Sequence, residues 1–156
     1  MMKDSDTRAF LTLLSAGLWE EEAQLSQYKE IDYSAIMKMA EEQSVVGLVS
    51  AGLEHVKDVK VPKVWTLQFV GNTLQIEQRN KAMNGFLAEL IENLRRNGVY
   101  AILVKGQGLA QCYQRPLWRI AGDVDLLLSE DNYHKAQNYL STIASHISEE
   151  NPSINI

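Results

Sequence analysis

The hydrophobic pattern over the first two thirds of the chain predicts helices. Apolar residues recur there three and four positions apart, as they do on the buried face of an amphipathic helix. Asp32 is a candidate N-cap, Pro62 fits a first helical turn, and Asn97-Gly98 fits a helix end. Four segments show the pattern: Thr7–Leu18, the segment that Asp32 caps through Ala40, Val45–Val56, and Pro62 to about Arg96.

After Gly98 the pattern changes from helical spacing to short apolar runs. Val99–Val104 is continuously apolar and bounded by turn residues, which predicts a strand buried on both faces. Leu109–Tyr113 predicts a short helix and Asp123–Leu128 a second strand. Ser129 is the candidate cap of a final helix.

These elements predict an α+β fold in which an N-terminal helical layer is followed by a β-α-β-α region. The predicted boundary divides residues 1–97 from residues 98–156. Two strands alone make a marginal sheet, and Asn151–Ile156 resembles the start of another extended segment. We therefore expect the chain to be the N-terminal part of a longer protein, a natural short form being the alternative.

Composition limits the class of protein. The chain has 156 residues, of which 46% are hydrophobic and 22% charged, as in a globular protein of about one domain. A single cysteine, Cys112, excludes a disulfide framework and a cysteine-rich zinc site. The start of the chain is acidic and polar, and no apolar run approaches the roughly 20 residues that span a bilayer. The expectation is a cytoplasmic protein with no membrane partner.

Charge is distributed unevenly along the chain. Residues 1–60 and 121–156 each carry a net charge of −5, whereas residues 61–120 carry +5. An acidic chain does not indicate a nucleic-acid surface. The basic middle immediately before an acidic segment could hold an anion beside a cation, and the alternative is that these charges are solvated helix faces.

The candidate chemistry lies where the predicted strands begin and end. Asp123 and Asp125 are two positions apart at the start of a strand, so both side chains point to one face. Two carboxylates placed in this way suit Mg²⁺, which keeps waters and phosphates as its other ligands. Lys105 and Gly106 end the first strand and open a helix, where backbone N–H groups attract phosphate.

Arg119 lies between these two elements in the sequence and could supply charge to a leaving diphosphate, as could Lys105. The Asp-x-Asp spacing is weak evidence alone, because Asp4 and Asp6 have the same spacing next to a predicted helix start. The alternative is an acidic pair exposed at a strand end and paired with Arg119. The residues by themselves leave a metal site and this alternative open.

The same residues resemble a known family. The matching stretches are Ile102–Ala110, then Tyr113 and Arg119, and then Gly122–Leu128. They are similar to the bacterial uncharacterised nucleotidyltransferase-like proteins of the polymerase-beta-type superfamily, whose pattern is Leu-Lys-Gly, a helix, an Arg and Gly-Asp-Ile-Asp-Leu-Leu-Val. Met39–Leu48 resembles the N-terminal helices of that family more loosely.

The resemblance implies transfer of a nucleoside monophosphate from an NTP to an acceptor hydroxyl of unknown identity. Asp123 and Asp125 would be the catalytic residues and would hold one or two Mg²⁺ ions. Lys105, Gly106, Gln107 and Arg119 would contact the nucleotide phosphates. The fold that it implies is an N-terminal helical layer followed by a partial nucleotidyltransferase-type β-α-β-α sheet unit.

The chain departs from the superfamily pattern in its third carboxylate, which comes there from a later strand. After Asp125 only Glu130, Asp131, Glu149 and Glu150 remain, and none lies on a predicted strand. We therefore expect the third ligand or base to be missing. The rival hypothesis is an inactive nucleotidyltransferase-like module that binds a nucleotide or acts as an antitoxin-like regulator, and a third is a helical scaffold whose sheet edge pairs with another copy.

Overall fold

The computed structural model describes residues 3–144, 146–147 and 154–155. Its order of elements is α1 (Asp4–Trp19), α2 (Tyr33–Glu42), α3 (Val46–Glu54), α4 (Lys63–Arg96), β1 (Ile102–Val104), α5 (Gly106–Ala110), β2 (Asp125–Leu127), α6 (Glu130–Leu140), β3 (His146–Ile147) and β4 (Ile154–Asn155), with a 3-10 turn at Pro116–Trp118. The α+β class is confirmed, with helices preceding the β1–α5–β2–α6 order.

Contacts divide the chain into two compact units. The helical unit comprises Met1–Ala82 and Leu109–Gly122, and the mixed unit comprises Met83–Gly108 and Asp123–Ile156. The sequence boundary at residues 97 and 98 does not coincide with this division, because the 34-residue helix α4 contributes to both units and the segment after α5 packs on the helices. Whether residues 98–156 form a separate domain stays a prediction.

The core of the helical unit depends on a close crossing of α1 and α3. A Cβ added to Gly17 would lie 1.8 Å from the Leu48 carbonyl oxygen, and one added to Gly52 would lie 2.0 Å from the Leu13 carbonyl oxygen. The two backbones therefore meet where only glycine fits. Fully buried apolar residues surround this crossing: Ala9, Leu13, Leu25, Ile36, Ala40, Val49 and Phe69.

Helix starts follow the sequence signals in part. Asp32 is the N-cap of α2, and its Oδ1 accepts hydrogen bonds from the backbone N–H of Ser34 at 2.9 Å and of Ala35 at 3.3 Å. Helix α1 begins earlier than predicted, with Lys3 as its N-cap and no side-chain capping bond. Asp6, which the sequence places next to a predicted helix start, lies buried and accepts a hydrogen bond from the backbone N–H of Asp32 at 2.9 Å.

The mixed unit is built on an antiparallel pair of short strands. Ile102, Leu103 and Val104 pair with Leu127, Leu126 and Asp125 respectively. One side of the unit is a cluster of buried apolar residues from α4 and α6 together with Val99: Leu90, Leu94, Val99, Ala136 and Leu140, with Leu126 and Leu128 packed against them. The other side is open, because Ile102 and Leu127 are 65% and 58% exposed.

The prediction that the first strand is buried on both faces was therefore wrong. The strand is also shorter than the apolar run that predicted it, since it begins at Ile102 rather than Val99. The backbone N–H of Val99 donates to the Leu94 carbonyl at the end of α4, and that of Tyr100 donates to Asn132 Oδ1. These two donors are used by the helix end and a side chain and are not available for a ladder.

The extended segment that the sequence predicts at the end of the chain is described only in part. Most of the predicted extended segment Asn151–Ile156 lies outside the described residues, but within it Ile154–Asn155 pairs antiparallel with His146–Ile147.

In the first half of α4, one face of the helix is apolar and exposed at Val64, Leu67, Val70 and Leu74. Among the described helices, none is both long enough and apolar enough to cross a membrane.

Candidate functional site

The strand pairing brings the lysine–glycine turn and the acidic pair to one end of the sheet. Val104, the last residue of β1, is the register partner of Asp125, the first residue of β2. Lys105 therefore leaves the sheet where the segment Asp123–Asp125 enters it. The distance from Lys105 Nζ to Asp125 Oδ1 is 3.8 Å.

The turn that follows β1 has an unusual backbone. Lys105 has a φ of 51° and Gly106 a φ of 34°, so both residues lie in the left-handed region. Glycine adopts this region without a steric cost, whereas the Cβ of lysine makes the region unfavourable. A Cβ on Gly106 would lie 2.9 Å from the Asp123 carbonyl oxygen, so the glycine is needed both for its conformation and for the close approach of the two segments.

The exposure of the predicted site residues differs. The side chain of Lys105 is 77% exposed and that of Asp125 33% exposed, and Asp123 is also exposed. These three side chains are accessible to a ligand from solvent. Gln107, by contrast, is 3% exposed within the five-residue helix α5, so its predicted contact with phosphate stays a prediction without support from its accessibility.

Arg119 lies in the helical unit. Its guanidinium carbon is 5.6 Å from the centroid of the Tyr113 ring, within the range of a cation–π contact. Its carbonyl oxygen accepts a hydrogen bond from Asn80 Nδ2 at 2.8 Å. The predicted role of Arg119 as a phosphate ligand therefore stays a prediction, as does the alternative in which it pairs with the acidic residues.

The donor set of Asp123 and Asp125 fits a Mg²⁺ ion that is shared with a substrate. Magnesium is bound in many enzymes through one or two carboxylates, with water and phosphate oxygens completing six ligands. Among residues 3–144, no group of three or more His, Cys, Asp and Glu side chains could hold a metal ion. The absence of a third ligand or base stays a prediction, because Glu149 and Glu150 lie outside the described residues.

Sequence reasoning missed a charged network in the helical unit. Arg115 donates to both carboxylate oxygens of Glu20, at 2.7 and 3.0 Å, and to Glu54 at 2.9 Å. His55 Nε2 lies 2.7 Å from Glu20 Oε2. The hydrogen bond from Arg115 is the main reason that the pKa of the Glu20 carboxyl lies below its ordinary value. No local sequence signal marks this network, because Glu20 and Arg115 are 95 residues apart.

The fold and this strand end define the class of protein: an α+β protein in which a solvent-accessible acidic pair and a lysine–glycine turn meet at one end of an antiparallel strand pair. Residues 29–151 match the model of the family described as "Uncharacterised nucleotidyltransferase". Since this match covers most of the sequence, the chain belongs to that family. Comparison with curated proteins and with solved structures finds no match.

Proposed function

We propose that the chain binds an NTP together with Mg²⁺ at Asp123 and Asp125 and transfers its nucleoside monophosphate to an acceptor hydroxyl. The observation that carries this proposal is the register of Val104 with Asp125, which sets the exposed Lys105 beside the acidic pair. Membership of the nucleotidyltransferase family supports the reaction class.

In the proposed reaction, an oxygen of the acceptor hydroxyl attacks the α-phosphorus of the NTP. The bond between this phosphorus and the oxygen bridging to the β-phosphorus breaks, diphosphate leaves, and the hydroxyl proton passes to solvent. Asp123 and Asp125 would hold and orient a Mg²⁺ ion, which when bound would supply charge neutralisation and polarisation of the phosphoryl group. The Lys105 ammonium neutralises charge on the leaving diphosphate.

Gly106 has a separate role in this proposal. Because it lies in the left-handed region and approaches the Asp123 backbone closely, it fixes the turn that carries Lys105 next to the acidic segment. A side chain at this position would push the two segments apart. We therefore expect Gly106→Ala to weaken nucleotide binding although it removes no charge and no ligand.

The two-carboxylate donor set favours a second candidate function. An inactive nucleotidyltransferase-like module would bind Mg²⁺ and a nucleotide without turning it over, and among the described residues no third acidic group joins the pair to hold a metal ion. Such a module would act as a binding or regulatory component. It shares the binding site of the first candidate and differs from it in catalysis.

The experiment is a thermal-shift panel with ATP, GTP, CTP and UTP, each with and without Mg²⁺. A ligand that binds the native state raises Tm by an amount that grows with its concentration relative to Kd. We expect a Mg²⁺-dependent rise for at least one NTP, and its loss in Asp123→Asn/Asp125→Asn. The matched control is Glu130→Gln/Asp131→Asn, which removes two exposed charges from the first turn of α6 in the same unit.

Three outcomes separate the candidates. A Mg²⁺-dependent shift that survives in the double aspartate variant would refute the proposed site. A shift confined to the native chain and the control, with release of diphosphate from the NTP when acceptors are added, supports the enzyme. The same shift without diphosphate release supports the binding module.

A further inference from the structure

The helical unit contains a cavity that is separate in its residues from the acidic pair and Lys105. Its volume is about 200 Å³, and its lining includes Gln43, Ser44, Tyr113, Trp118 and Arg119 together with aliphatic side chains. This volume is below the roughly 300–1,000 Å³ of pockets that bind drug-sized ligands. The cavity therefore suits a single ring system and not a complete nucleotide.

One wall of the cavity is held rigidly. The Trp118 indole N–H donates to Glu77 Oε2 at 3.1 Å, and the Arg115 guanidinium lies 4.4 Å from the centroid of its ring. A Cβ on Gly47 would come within 2.0 Å of the Trp118 carbonyl oxygen, so the backbones touch at this point. Asn80, itself buried, donates to the carbonyls of Leu117 and Arg119, both at 2.8 Å. A wall fixed in this way is preorganised for a ligand, which lowers the entropic cost of binding.

The polar rim of the cavity contains a residue with an unfavourable backbone conformation. At the end of α2, the Val45 N–H donates to the Ala40 carbonyl and the Ser44 N–H to the Glu41 carbonyl, which is the Schellman pattern of helix termination. The left-handed position in this pattern usually holds glycine, but here it holds Ser44 with a φ of 56°. A hydroxyl is thus present at the cavity rim where glycine would be more stable, and strained residues of this kind cluster at ligand sites.

The chemistry of the lining narrows the class of ligand. Tyr113 and Trp118 are flat aromatic surfaces, and aromatic side chains in nucleic-acid-binding proteins stack on bases of every type. The Gln43 amide offers a donor and an acceptor side by side, which matches the paired donor and acceptor groups on a base edge. Gln43 and Ser44 are both exposed, so their polar groups are accessible at the rim.

We propose that this cavity is a binding site for a nucleobase. In it, Tyr113 stacks on the ring of the base, and Gln43 and Ser44 hydrogen-bond its polar edge. The choice of a nucleobase as the ligand rests on the proposed function, but the site does not need metal or phosphate. The cavity therefore recognises nucleosides that lack any phosphate.

The test is an NMR titration of ¹⁵N-labelled chain with adenosine, guanosine, cytidine and uridine in the absence of Mg²⁺, with ribose alone as a sugar control. The Trp118 indole resonance is assigned by its loss in Trp118→Phe. We expect at least one nucleoside, and not ribose, to shift the Trp118 indole and Ser44 amide resonances in a saturable manner.

Variants of the lining give the expected magnitudes. Tyr113→Ala should weaken nucleoside binding about 5- to 150-fold, the range for loss of one base–aromatic stack, whereas Tyr113→Phe should retain binding. Gln43→Ala should weaken binding about 2- to 12-fold, as loss of one hydrogen bond does. Its matched control is Gln68→Ala, an exposed glutamine of α4 outside the cavity, which should leave binding unchanged. Ser44→Gly should weaken binding while raising Tm.

The outcomes also separate this site from the proposed nucleotidyltransferase site. Nucleoside binding that persists in Asp123→Asn/Asp125→Asn supports the cavity even if no Mg²⁺-dependent NTP binding is found. The proposal is overturned if no nucleoside shifts these resonances, if ribose shifts them equally, or if both Tyr113→Ala and Gln43→Ala leave the affinity unchanged. A nucleoside response that is lost only in the double aspartate variant would also overturn it.

Discussion

The conformation of Lys105 leads to a prediction that separates the effect of backbone strain on stability from the effect of the lysine charge on ligand binding. With a φ of 51°, Lys105 occupies the left-handed region, which costs a non-glycine residue about 1–2 kcal/mol. Glycine avoids this cost but loses more backbone entropy on folding, by about 0.5–1 kcal/mol. The Lys105→Gly variant should therefore be more stable than one that keeps a Cβ at this position, by about 0.5–1 kcal/mol.

The matched control is Lys105→Ala. Both variants lose the ion pair with Asp125, which is 3.8 Å long and involves a lysine that is 77% exposed, so its own contribution is at most about 1 kcal/mol. Subtracting the free energy of unfolding of Lys105→Ala from that of Lys105→Gly cancels this contribution and leaves the effect of backbone conformation. Both variants lose the same ammonium group, so both should bind Mg²⁺–NTP more weakly than the native chain and to a similar extent.

Urea denaturation measures the difference in free energy of unfolding, and thermal denaturation gives a second measurement. For a chain of this length, 1 kcal/mol corresponds to about 2–4 °C in Tm, so Lys105→Gly should melt about 1–4 °C above Lys105→Ala. Equal stability of the two variants, or a more stable alanine variant, would refute the argument from conformation. Unchanged NTP binding in both would remove Lys105 from the proposed site while leaving the conformational argument intact.

Three further predictions concern packing and charge. Gly17→Ala should destabilise the chain by about 1–3 kcal/mol in urea denaturation because its Cβ would meet the Leu48 backbone, whereas Gly71→Ala in α4, where a Cβ meets nothing within 4 Å, should stabilise it by up to about 1 kcal/mol. Arg115→Gln should cost about 1.5–3 kcal/mol and raise the pKa of Glu20 toward its ordinary value, measurable by NMR titration; an unchanged pKa would contradict the assigned network. Hydrogen bonds from the Ser26 backbone lower the pKa of Asp58 to about 2, so its contribution to stability is present above its ordinary pKa of 3.8 and is lost as the pH falls toward 2; Asp58→Asn should abolish that part of the acid dependence.

Local signals in the sequence predicted most of the helices. The cap at Asp32 and the ends of α4 involve residues within a few positions of one another, so their physics is visible in a short window. The strand signal of Val99–Val104 was less exact, because an apolar run does not show where its backbone donors go. Here Val99 bonds back to α4 and Tyr100 to Asn132, and only three residues remain for the ladder.

Contacts between distant residues could not be read from the sequence. Arg115 bonds to Glu20 across 95 residues and to Glu54 across 61, and nothing near any of the three residues specifies its partner. For the same reason, the cavity beside Tyr113 and Trp118 could not be predicted, because its lining comes from segments about 70 residues apart in the sequence. The end of the sheet with Lys105 and Asp125 was more accessible to prediction because the two flanking strands pair directly.

Backbone conformation links the two proposed sites by a common physical argument. Among the described residues, four that are not glycine have left-handed backbones: Glu20, Glu30, Ser44 and Lys105. Glycine would relieve strain at each of these positions, so strain alone does not identify a site; Glu30 shows this, because its side chain makes only a 3.5 Å surface pair with Lys3. The surroundings of each residue show whether its side chain could contact a ligand. Glu20 binds Arg115 within the helical unit, whereas Ser44 borders a cavity and Lys105 lies beside a solvent-accessible acidic pair. Only the last two present their side chains where a ligand could use them, and this is why we assign binding to these two positions.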